Sequence, residues 1–193
     1  MASFDKILFF EKEYEKEVKI KDIINNNITN ILTLLIINLT IFSYFIINTP
    51  IMTFFKSSHK VAFIIFFILM FSYVIYFVYT LMNLSSFYFS NKMYMKIPYA
   101  NELNLYFDSL KKHNEEDFDK NVNSYLLNFY IDAASKNSKV NEYKNGLQFE
   151  IRRFLFIKFF VLFLTFIPYY VIMDGNLNTY NIKITDEKVN NVK

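Results

Sequence analysis

The chain has 193 residues, is 53% hydrophobic and 20% aromatic, and carries a formal net charge of +3. So small a positive balance excludes a dedicated nucleic-acid binder, which needs a marked basic excess. Without cysteine there are no disulfides, thiolate nucleophiles or Cys-based metal sites, and with two glycines there is no Gly-rich phosphate loop.

Residues 1–27 read as an amphipathic helix. Phe4, Ile7, Leu8, Tyr14, Val18 and Ile24 recur at helical spacings, and Glu11, Lys12, Glu15, Lys16 and Lys19 cover the other side. The acids and lysines mixed through this segment do not fit a signal peptide, so the apolar run behind it is expected to remain as an anchor. That run, 28–47, is the first of three segments long enough to cross a bilayer. Asn48-Thr49-Pro50 closes it, because proline disfavours helical geometry at the residue before it. The loop 51–60 leads to the second segment, 61–82, which has no charge, glycine or proline. At 1.5 Å per residue it spans about 33 Å, the thickness of a bilayer's hydrocarbon core. The segments 28–47 and 61–82 make a hairpin, 28–82.

Residues 83–153 are the one large piece between apolar segments. Tyr88 to Ile97 is an aromatic, basic collar. Beyond Pro98 a helix is expected with Asn101 as its N-cap and Leu103, Tyr106, Phe107 and Leu110 on one face. After a charged break at 111–119, Phe118, Val122, Tyr125, Leu126, Phe129, Tyr130 and Ala133 repeat with helical period. No proline stops a helix that begins near Glu116 from running through Arg153 into the third apolar segment, 154–173. The tail, 174–193, is polar; Tyr180, Ile182 and Ile184 alternate like a strand, but a lone strand is unstable, so disorder is expected there. The fold class that follows is an all-α integral membrane protein with three transmembrane helices and a helical cytoplasmic insertion between the second and third.

Lysines and arginines set the orientation. Lys16, Lys19, Lys21, Lys92, Lys96, Lys139, Lys144, Arg152 and Arg153 lie near the membrane on the side of the N-terminus and the 83–153 domain. Lys56, Lys60, Lys183 and Lys188 lie on the other side. By the positive-inside rule the N-terminus and the insertion are cytoplasmic.

Two sets of residues are candidates for function. Asn30, Thr33, Ile37, Thr40 and Tyr44 form a stripe at spacings of three and four, suited to lining a pore or to hydrogen bonding between helices of an oligomer. Both roles turn that face inward, away from lipid; Asn38, off the stripe, is placed to bond to another segment. Lys136, Lys139, Tyr143, Lys144, Arg152 and Arg153 combine cations with an aromatic, a pattern that pairs phosphates and stacks bases of a nucleotide or oligonucleotide. The same zone also suits attraction to anionic membrane lipid, which is the simpler reading. Lys158 lies five residues into the third segment, where a snorkelling lysine is expected in preference to a pore-lining one. Pro168 is expected to kink its helix. His59 and His113 fall on opposite sides of the membrane and share no metal; the run His113, Glu115, Glu116, Asp117 reads as a solvated turn. No catalytic motif or cofactor-binding pattern is present, which points away from an enzyme.

The helix order resembles that of small transmembrane effectors of bacterial anti-phage systems, of Pycsar, CBASS and Hailong type. The stretches that carry the resemblance are KEYEKEVKIKDIINNNITNILTLLI, a charged run entering the first apolar segment, and YIDAASKNSKVNEYKNGLQFEIRRFLFIKFFVLF, a polar helix entering the third. It implies a homo-oligomer in the bacterial inner membrane that forms or gates an ion-conducting pore on a nucleotide signal, made by a nucleotidyltransferase partner. It transfers no binding residue. The competing reading is a non-enzymatic scaffolding subunit of a membrane complex, which would dock its partner on residues 103–133.

Overall fold

The structure, a computed structural model, describes residues 5–51, 59–113 and 115–190, with residues 175–190 as backbone alone. The described residues form helices α1 (Lys6–Asn48), α2 (Lys60–Phe89), α3 (Ala100–His113) and α4 (Phe118–Asn190), and contain no strand. Three of them, α1, α2 and α4, are long and apolar enough to cross a membrane.

The chemistry at the helix ends is local. Asp5 caps α1: its Oδ1 accepts the backbone N–H groups of Ile7 and Leu8 at 3.0 and 3.2 Å. The charged helix and the apolar segment behind it are one helix, since the asparagines at 25–27 do not break it. At its far end Thr49 donates its hydroxyl and its N–H to the Phe45 carbonyl, at 2.6 and 3.1 Å, just before Pro50. The expected cap at Asn101 is displaced. Here α3 starts at Ala100, with Leu103 N–H bonded to the Tyr99 carbonyl at 3.0 Å, so Asn101 lies inside the first turn. Lys111, Lys112 and His113 close α3, where positive charge meets the negative end of the helix dipole. The break before α4 is shorter than 111–119, and α4 runs through Pro168. It continues to Asn190, so residues 174–190 are helical where disorder was expected.

The chain divides into two compact units, residues 1–29 with 86–148 and residues 30–85 with 149–193. The core of the first joins Tyr14 to Phe129, Ala133 and Ala134, flanked by Val18, Met95 and Tyr130. Of these, Tyr14 and Val18 in α1 and Phe129, Tyr130 and Ala133 in α4 are among the residues that recur with helical period. Amides do the rest. Asn137 accepts from the Met95 N–H at 2.7 Å and donates to the Met95 carbonyl at 3.1 Å. Asn141 donates to the backbone carbonyl and the carboxylate of Glu17, both at 2.8 Å, and accepts the Tyr94 hydroxyl at 2.8 Å. Gln148 donates to the Ile24 carbonyl.

The second unit is held by rings and aliphatic side chains: Phe45, Phe63, Phe66, Met70, Tyr73, Val161, Leu162 and Ile172. Phe42 stacks on Tyr73 at 4.3 Å, and Phe45 meets Phe166 edge-on at 4.8 Å. Its outer surface is also apolar: Ile47, Ile68, Phe71, Phe163 and Ile167 are all exposed. Exposed apolar side chains in such number are costly in water and cost nothing against hydrocarbon.

Candidate functional site

The stripe on α1 is wholly exposed. Asn30, Thr33, Ile37, Thr40 and Tyr44 all face away from the chain, while Ile31, Leu35, Asn38 and Phe45 on the opposite side are buried. Within one chain the polar face thus points outward. Thr40 returns its hydroxyl to the Ile36 carbonyl at 3.0 Å, and the Tyr44 ring sits 6.1 Å from Tyr169. Asn38 was expected to bond to another segment. It is buried, but its Oδ1 finds no hydrogen-bond donor. It borders a largely apolar cavity of about 330 Å³ shared with Leu34, Ile37, Phe156 and Phe159, with Arg152 also on its lining.

Lys158 departs furthest from expectation. Instead of snorkelling to a surface it is completely buried, and its Nζ has no hydrogen-bond partner. The ammonium lies over the rings of Phe77 and Tyr73, 5.1 and 5.9 Å from their centroids. The reason is helical phase. Ile151, Lys158, Thr165 and Ile172 follow one another at seven-residue intervals, all at 2% exposure or less, so position 158 belongs to the seam that packs inward. Proximity to the end of the apolar segment governs a lysine only when its side chain starts on an outer face. The spacing of these four residues was the signal that identifies the seam.

The cationic candidates separate. Lys136 and Lys139 are exposed on α4. Tyr143 is capped by Lys92, whose ammonium stands 3.7 Å from the ring centroid, so one face of that ring is already covered. Lys144 is half-buried over Phe87 at 4.8 Å and Tyr94 at 5.4 Å, and Lys21 approaches the same Tyr94 ring at 5.4 Å. Burial, and then the nearby Lys21 charge, hold Lys144 below the ordinary lysine range. Burial, with Asp22 and Glu17 nearby, pushes the Tyr94 hydroxyl up. Arg152 and Arg153 belong to the second unit; both are exposed, and Arg153 faces Glu150 at 3.7 Å. The cluster the first unit does assemble is Lys21, Lys92 and Lys144 around Phe87, Tyr94 and Tyr143. Two of those cations come from α1 and the 90–99 segment, far from α4 in sequence. The aromatic, basic character of the collar was a local signal for Lys92, and Lys21 had none.

Among the described residues, no three His, Asp or Glu side chains gather where they could hold a metal ion, and the acids beside His113 form no such group. No family model, curated protein or solved structure matches this chain.

Proposed function

We propose that this protein spans a bacterial inner membrane three times, N-terminus inside, and that several copies form or gate a pore through contacts along the outward stripe of α1. The observation that carries the reading is the exposure of Asn30, Thr33 and Thr40 on the otherwise apolar segment 28–47 of α1. Polar groups facing hydrocarbon are costly, and helix association or a water-filled lumen removes that cost. Three helices cannot enclose a channel, so a pore needs several copies, and closed rotational symmetry is the usual solution. The first unit, with its cations gathered on aromatic faces, would receive a nucleotide-type signal from a nucleotidyltransferase partner. The role in phage defence rests on the resemblance in helix order alone.

The test is membrane potential in cells expressing the full chain, with and without a co-expressed nucleotidyltransferase of the kind the resemblance implies. Depolarisation by the wild type, abolished in a Thr33→Ile/Thr40→Ile variant present at equal level in the membrane, is expected. A polarised culture with both proteins present would sink the pore reading. It would favour the scaffold instead, for which the exposed side chains of Leu105 and Tyr106, within 103–133, supply a docking surface.

A further inference from the structure

The three apolar segments, 28–47, 61–82 and 154–173, contain a single charged residue, Lys158, and no Asp or Glu. Its ammonium is buried and meets only the faces of Tyr73 and Phe77. Aromatic faces compensate part of the lost hydration of a cation but accept none of its three protons as an ordinary hydrogen bond. Tyr73 is the second anomaly. Its ring is buried, and its hydroxyl, which donates a proton, has no partner either. The neighbouring buried hydroxyls are engaged: Thr80 donates to the Tyr76 carbonyl and Thr165 to the Val161 carbonyl, each at 2.8 Å. Asn38 Oδ1, a buried acceptor of the same unit, bonds to neither Lys158 nor Tyr73.

Two unsatisfied donors, one of them cationic, therefore lie in the same cluster with no acceptor to receive them. A second copy of the chain cannot supply one as carboxylate, because its apolar segments are equally free of acids. With the Lys158 ammonium 5.9 Å from the centroid of the Tyr73 ring, one species able to accept from both donors is an anion small enough to sit beside an ammonium and a phenol, carrying one charge, and weakly enough hydrated to enter apolar surroundings. We propose that Lys158 and Tyr73 form a site for a monovalent, halide-class anion in the core of the second unit. Lys158 supplies the charge and the Tyr73 hydroxyl the second hydrogen bond. The site does not depend on the pore reading above.

The experiment uses the purified full chain in zwitterionic micelles and reads the line width of chloride-35 NMR, with iodide as competitor. The wild type is expected to give excess broadening that iodide displaces. Lys158→Met should remove it, Lys158→Arg should keep it, and Tyr73→Phe should weaken chloride binding about tenfold, the loss of one hydrogen bond to a charged group. A Lys136→Gln/Lys139→Gln variant should bind as the wild type does, separating this site from surface cations. Broadening that survives in Lys158→Met, or is missing from a wild-type protein with intact helical circular dichroism, overturns the site. Should Lys158→Met lose its helical signal, the Lys158→Arg and Tyr73→Phe pair decides: equal broadening in Tyr73→Phe and wild type, or none in Lys158→Arg, refutes it.

Discussion

Asn137 in the first unit and Asn38 in the second are both almost fully buried, at 1% and 2% exposure. Asn137 spends both ends of its amide on one backbone residue, Met95, whereas the Oδ1 of Asn38 meets no donor. The same contrast runs through the two units. In the first, Asn141, Gln148 and Tyr94 tie α1, the 90–99 segment and α4 to one another, with the Gln148 Oε1 the one buried side-chain atom left over among those described. In the second, Asn38, Tyr73 and Lys158 are embedded among rings and aliphatic chains without partners. Buried polar groups that are satisfied specify a fold; those left unsatisfied cost stability and are candidates for interactions the single chain does not make. The first unit uses its polar interior to hold itself together, and the second holds its polar interior in reserve.

Substitutions that remove the polar group should therefore have opposite signs in the two units. The largest effect is expected at Lys158. Lys158→Met should stabilise the second unit by about 3 kcal/mol, the scale of an uncompensated buried charge. The measurement is the detergent-unfolding midpoint followed by helicity, in a buffer whose only anion is gluconate. A variant less stable than the wild type would break the contrast. Next comes Asn137→Leu, which strips the partially buried Met95 backbone of both partners and should destabilise the first unit by about 2 kcal/mol. Hydrogen exchange at the Met95 amide should accelerate by more than tenfold, and an unchanged rate would show that the clasp contributes nothing. Asn38→Leu, similar in volume, should stabilise the isolated chain by about 1 kcal/mol by removing an orphaned acceptor. If cross-linking shows that the same change also dissociates an oligomer, Asn38 serves a contact between copies. The smallest effect belongs to Gly146, a helix-interior glycine with open space where a Cβ would stand. Gly146→Ala should raise thermal stability by about 0.8 kcal/mol through helix propensity alone. A loss there would mean that position 146 is covered by something outside this chain.

The apolar runs and prolines made the helices legible, because length, charge exclusion and the missing proline N–H act locally. The face of α4 that carries Phe129 and Ala133 was equally plain from its helical period. The N-terminal cap at Asp5 went unread, although Asp ahead of a helical run is a known start signal. Lys158 was misjudged because distance from the end of the segment was weighed, and the seven-residue row from Ile151 to Ile172 was not. The stripe on α1 was visible as a pattern, but a pattern gives sidedness without saying whether that side faces the same chain or another. The cations around Tyr94 and Tyr143 depend on contacts between α1, the 90–99 segment and α4, and no spacing within one segment encodes such contacts.

The clasp on Met95 has a consequence for how the gene can drift. Asparagine and aspartate have the same shape and their codons differ by a single base, so Asn137→Asp is among the commonest steps open to this position. That step exchanges the Nδ2 donor for a second, negatively charged acceptor facing the Met95 carbonyl it had bonded at 3.1 Å. Glutamine offers the right atoms one methylene too far away, and leucine offers none. Position 137 therefore accepts neither its nearest mutational neighbour nor its nearest chemical one, and lineages that keep this segment in place are expected to keep the residue.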